Sequence, residues 1–294
     1  MWDVLPLLSL RVPDGDPYGS AHPRRSDEWI PTDLVHWPKN RNGEVVMEVA
    51  IGAALVGILG YAIWHEGIDA EDAGRKRLCD YYVAGGVFEE PKDVIASGRR
   101  LLEVHLYADE NGKPIVSKTP LNLGYDYTMD YWTFDSICVD LIQAWESSAD
   151  PFILSIVPHT TNNVTLNKAA DCLKTTVRRH LVGGVDVDTP VDELKYRILI
   201  VSDNVQGSEL GTLVNLSWAD SKVRRLLYAQ AMHPRDQPEL VAFNRNAISL
   251  VTPDPTFGKE TLDPRIASAY GCQWLLFSGS DAASGFVEKP TGLQ

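Results

Sequence analysis

The sequence predicts an α/β protein: a closed, parallel-stranded barrel over its C-terminal two-thirds, preceded by an extended arm and a single apolar helix long enough to cross a membrane. Three features predict it. From about Tyr81 onward, short apolar runs alternate with stretches of helical periodicity, the pattern of a parallel sheet, over a length that suits a closed barrel. Ahead of that lies the least polar stretch of the chain, residues 45–64. Ahead of that again, residues 1–44 carry Pro, Asp, Arg and Trp with no sustained helical or strand period.

The arm includes Asp14-Gly15-Asp16-Pro17 and His22-Pro23-Arg24-Arg25, which favour turns. Asp3 and Pro6 interrupt the apolar residues at the start, so no cleavable secretory leader is expected. As a helix, twenty residues from Val45 to Trp64 span about 30 Å, the thickness of a bilayer's hydrocarbon core. Glu48 lies near one end, and Tyr61 and Trp64 lie at the other, where interfacial aromatics belong. Gly52, Ala53, Gly57 and Gly60 would let a second helix approach closely. Lys39 and Arg41 on one side and Arg75, Lys76 and Arg77 on the other leave the orientation open. The expected organisation is an arm over 1–44, a transmembrane helix over 45–66, a connector over 67–91 and the barrel over 92–294.

Within the barrel the expected strands are residues 101–106, 152–157, 196–201, 213–216 and 273–277, with helices over 132–146, 167–181 and 221–231. A net charge of -13 argues against nucleic acid, and against an anionic lipid surface as the main partner, while leaving room for a local basic patch. Cys79, Cys138, Cys172 and Cys272 lie far apart with no C-x-x-C pair, so they read as buried free thiols. The triplets at Asn163 and Asn215 that match a glycosylation acceptor carry little weight.

Several segments in sequence order resemble the catalytic barrel of phosphoinositide-specific phospholipase C. The run from Ser97 through Leu101-Leu-Glu-Val-His-Leu106 to Gly112-Lys-Pro114 is similar to the family's first-half strand and turn. It is followed by Pro151-Phe-Ile-Leu-Ser-Ile-Val157-Pro-His159 and Pro190-Val-Asp-Glu-Leu-Lys195. Second-half counterparts are Leu216-Ser-Trp-Ala-Asp220-Ser-Lys222, Phe243 to Pro253, Ala269-Tyr-Gly-Cys-Gln273 and Gly285-Phe-Val-Glu-Lys-Pro290. The resemblance runs from roughly Lys92 to Pro290 and implies a TIM-like barrel of phospholipase C type.

It also implies chemistry this chain does not match. Family members use two histidines and a calcium ion held by one Asn and three acidic side chains, the metal acting as a Lewis acid on the inositol hydroxyl. The stretch Tyr81 to Glu89 stands where the first histidine and the metal-binding Asn would be, and holds neither; the nearest upstream histidine is His65. The family's acidic pair falls on Glu103 and His105, and a further carboxylate falls on Val157. The second catalytic histidine falls on Lys118, a poor proton shuttle at neutral pH. Headgroup-binding lysines fall on Val201 and Asp203, and the arginine on Leu250. One Glu opposite a Val cannot supply calcium's oxygen shell. His105 is expected to fill the barrel interior with a hydrogen bond, His159 to be structural, and His180 to be part of a solvated face or a helix-end charge beside Arg178 and Arg179.

The expected function is therefore that of a non-catalytic, phospholipase C-like pseudoenzyme. It would be anchored through residues 45–64 in the bilayer, single-pass, as a scaffold or accessory subunit among other membrane-protein subunits, with no cofactor and no metal. An organellar membrane such as the mitochondrial inner membrane is one setting. Two alternatives stand beside it: a headgroup-binding module using Lys118 and Glu103 without hydrolysis, and a divergent active phosphodiesterase that dispenses with metal.

Overall fold

A computed structural model describes residues 75–119, 130–145, 148–253, 262–277 and 285–289. The expected arm and the apolar segment with Gly52, Ala53, Gly57, Gly60, Tyr61 and Trp64 lie outside the described residues. Among the described residues no helix is long and apolar enough to cross a membrane.

Parallel strands form the barrel. β1 (Tyr81–Val87) pairs in parallel with β2 (Leu101–Ala108) on one side and with β9 (Trp274–Phe277) on the other. β2 continues the ring to β5 (Phe152–Pro158), and β5 to β6 (Ile198–Ser202). From the other direction β9 joins β8 (Ile248–Thr252), which joins β7 (Val223–Leu227). The upper part of β2 runs on into an antiparallel extension with β3 (Pro114–Ser117) and β4 (Tyr131–Thr133), and β10 (Phe286–Glu288) pairs antiparallel with β1.

β1 falls in the stretch expected to be a connector, so the barrel begins upstream of residue 92. Gly85 and Gly86 hide it from a propensity reading, since glycine weakens a strand. Both are required by close packing. A Cβ on Gly85 would lie 2.7 Å from Leu101, and one on Gly86 would lie 2.6 Å from Val94.

Two further expectations are corrected. Residues 213–216 do not form a strand: a 3-10 turn at Leu210–Leu213 leads to a single parallel bridge between Leu216 and Val201. Asn215 is the reason, because its side-chain oxygen accepts from the Ile200 N–H at 2.8 Å and takes the place of a ladder partner. Among the described residues no ladder joins Leu216 to β7, so the ring is irregular there. Residues 221–231 are not one helix but β7 followed by the short α4 (Tyr228–Met232). The period is two: Arg224 points outward to Glu239, while Arg225 points inward to Glu103.

Helices cover the outside. α1 (Pro91–Ala96) and α2 (Phe134–Trp145) pack beside α3 (Asn163–Thr176), with α5 (Gln237–Phe243) and α6 (Pro264–Ala269) on the far side. α3 starts earlier than its apolar spacing suggested because the Asn162 side chain caps it, accepting from Val164 N at 2.9 Å. Strand alternation divides the core. Leu101, Ile153, Leu199, Val223, Ile248 and Trp274 fill the barrel interior. Leu102, Val104, Leu154, Ile156 and Ile200 face α2 and α3. All four cysteines are free; Cys79, Cys138 and Cys272 are buried and Cys172 is half-buried.

Phe152 is fully buried at the start of β5, in the layer facing α2 and α3. Phe152→Ala is expected to destabilise the barrel by about 3–5 kcal/mol, read as a lower denaturation midpoint in urea at unchanged slope.

Candidate functional site at the barrel mouth

Alternation along β2 sends Glu103 and His105 to the inner face, towards the C-terminal end of the strands, where barrel enzymes carry their chemistry. The Glu103 side chain has no solvent exposure. A buried carboxylate needs its charge and lone pairs answered. Arg225 from β7 answers the charge with a two-pronged contact, Nη2 to Oε1 at 2.7 Å and Nε to Oε2 at 3.1 Å. Thr252 from β8 donates to Oε1 at 2.9 Å, and Ser155 from β5 donates to Oε2 at 3.3 Å. His105 Nε2 lies 3.2 Å from Oε1. Burial pushes the Glu103 pKa up; the His105 hydrogen bond and the Arg225 charge outweigh it and bring the carboxyl down from 4.5 to about 2.

His105 Nδ1 is 2.9 Å from His159 Nε2. In the tautomer that places the His105 proton on Nε2, towards Glu103, Nδ1 is left to accept from His159 Nε2–H. Partial burial first, with the nearby positive charge of Arg225 adding to it, holds the His159 pKa well below its ordinary value, although the residue is exposed at the surface. The two imidazoles lie edge to edge, ring centroids 5.1 Å apart and nearly coplanar, with Phe88 tilted against His105 at 4.7 Å and Tyr107 stacked on His159 at 4.4 Å. Phe88 takes the left-handed region, φ 58°, to reach that position.

The expected site positions separate. Glu103 and His105 meet, and Val157 is the register partner of His105 on β5. Val201 and Leu250 are fully buried in the barrel interior. Asp203 bonds Gln206 and Ser217 at the top of β6. Lys118 lies at the end of β3, paired with Asp130 at 3.0 Å and 5.1 Å over the Trp132 ring; among the described residues it touches none of the Glu103 group. His180 is tied to the Tyr196 carbonyl at 3.1 Å and packs edge-on to Trp145, so it is more than a helix-end charge. Sequence reasoning missed Arg225, Ser155 and Thr252 as partners of Glu103. The alternation in Val223-Arg-Arg-Leu-Leu was the one signal that could have found Arg225.

Among the described residues the donor set around Glu103 does not fit calcium. Glu103 spends both oxygens on Arg225, Ser155, Thr252 and His105, its neighbour on the same face of β2 is an imidazole, and Val157 is apolar. Among the described residues no group of three or more His, Cys, Asp or Glu is arranged to hold a metal ion.

Comparison with solved structures places this geometry. The chain superposes on S. officinalis PLC21 with a TM-score of 0.62 at 16% identity, covering 74% of this chain and 38% of that one. L. pealei PLC21 gives a TM-score of 0.60 with the same identity and coverage. The Ca2+-dependent phosphatidylinositol-specific phospholipase C of Streptomyces antibioticus gives 0.52 at 12% identity, covering 73% of this chain and 99% of that one. The fold is that of a phospholipase C catalytic barrel. This chain spans little more than a third of the length of the two PLC21 proteins and nearly the whole of the Streptomyces enzyme. No family model and no curated protein matches the sequence.

In this phospholipase C-like barrel, Glu103→Gln is expected to cost about 3–5 kcal/mol, because it leaves Arg225 without a counter-charge. Glu103→Gln/Arg225→Met should recover much of that loss. The folded pKa lies below 4.5, so the carboxylate's contribution is complete above pH 4.5 and is lost as pH falls towards about 2. Denaturation measured across that range should show a steeper loss in the parent chain than in either variant.

Proposed function

We propose that this chain is a non-catalytic, phospholipase C-like protein that uses the barrel as a folded surface, anchored in a membrane through residues 45–64 and assembled with other membrane-protein subunits. The engagement of Glu103 carries the reading. In the family pattern that carboxylate serves a metal; here a guanidinium occupies its coordinating oxygens. Phe88 supports the same reading, since an apolar ring lies over His105 in the region where the resemblance implies the first catalytic histidine. Fold and function separate readily in barrels, whose core packing does not depend on the groups at the mouth.

The purified chain is expected to release no inositol phosphate from phosphatidylinositol vesicles, with calcium present or with a chelator. Turnover abolished by His105→Ala would overturn the proposal in favour of a metal-independent enzyme, for which the Glu103, His105 and His159 series is the one structural argument. Saturable inositol phosphate binding lost in Lys118→Ala would favour a headgroup-binding module. Membrane anchoring has its own test: deletion of 45–64 should release the protein from carbonate-washed membranes, and retention would refute the anchor.

A further inference from the structure

At the end of the barrel opposite the mouth, two segments run side by side. Residues 178–181 follow α3 and residues 195–197 lead into β6, joined by Arg197 Nη1 to the Arg179 carbonyl at 3.1 Å and by Ile198 N to the His180 carbonyl at 2.8 Å. His180 Nδ1 and the Tyr196 carbonyl, 3.1 Å apart, add a third tie. This arrangement gathers Arg178, Arg179, Lys195 and Arg197, all exposed, into one patch. Among the described residues none of these cations has a carboxylate partner. Acids at the same end are already engaged. Asp192 and Glu193 pair with Arg75, Asp188 pairs with Arg77 and Lys222, Asp150 faces Arg100, and Asp186 caps its own turn. Tyr196 stands in the middle, 55% exposed and at φ 59°. A bulky residue rarely takes that backbone conformation, and here it projects a phenol from a basic surface.

We infer that this basic end of the barrel docks on the phosphate headgroups of an anionic bilayer. The residue types select the partner: guanidinium forks match phosphate oxygens, and tyrosine among cations is suited to the headgroup level of a membrane. Charge sets the orientation. A chain with net charge -13 is repelled by an anionic surface unless a local basic face turns towards it. The mouth with Glu103 and His105 then points away from the lipid, the reverse of what an enzyme acting on membrane phospholipid needs. The inference does not rest on the loss of catalysis, and it is read without measuring hydrolysis.

The test is flotation of the full chain with vesicles of phosphatidylcholine alone and of three parts phosphatidylcholine to one part phosphatidylserine. Insertion through residues 45–64 would raise both affinities alike, so at lipid concentrations where only part of the protein floats the ratio isolates the patch. The anionic vesicles should bind at least about tenfold more tightly, with the gain falling as salt rises. Arg178→Glu/Arg179→Glu should abolish the gain, and so should Lys195→Glu/Arg197→Glu. Lys113→Glu/Arg235→Glu, which makes the same change in net charge at exposed sites in the β2–β3 turn and after α4, should keep it. Circular dichroism should show every variant folded. Equal binding to both vesicle types would overturn the inference, as would a loss in the control pair equal to that in the patch pairs.

Discussion

Glu103 and Arg225 face each other across the inside of the barrel, and much of the upper structure is arranged around that pair. Glu103 sits on β2 and Arg225 on β7, so the contact spans the interior instead of joining neighbouring strands. Desolvating both charges is costly, and the mutual attraction offsets the cost only with good geometry and further hydrogen bonds. Ser155 on β5 and Thr252 on β8 supply those bonds. The ladder is irregular between Leu216 and β7, and the ion pair fastens β7 to the opposite wall beside that gap.

The same requirement shapes what the mouth can do. A carboxylate held by a guanidinium stays ionised yet is not free to coordinate a metal or to take up a proton near neutral pH. His105 bridges the buried carboxylate and the exposed His159, with Phe88 packed at a tilt on His105 and Tyr107 stacked on His159. The result is a hydrogen-bonded series running from the buried Glu103 to the surface at His159.

The two ends of the barrel differ in kind. At the mouth every charge of the Glu103 group has a partner within the fold. At the opposite end Arg178, Arg179, Lys195 and Arg197 are gathered with their charges unanswered by carboxylates among the described residues. Such an asymmetry directs long-range attraction to one face of an otherwise acidic protein.

Sequence alone determined the barrel class, the strands over β2, β5 and β9, and the placing of Glu103 and His105 on one face of β2. Those signals are local: apolar runs of strand length, and residue identities read in order. The glycines of β1 concealed a strand whose justification is a close approach to Leu101 and Val94, a fact about neighbours distant in sequence. The first part of the helix expected over 221–231 is a strand instead because pairing with β8 overrode local spacing. Which cation answers Glu103, and which basic residues share a surface, depended on contacts between residues far apart along the chain. Periodicity carries no information about such pairs; only closure of the barrel brings Arg225 to Glu103 and sets Arg179 beside Arg197.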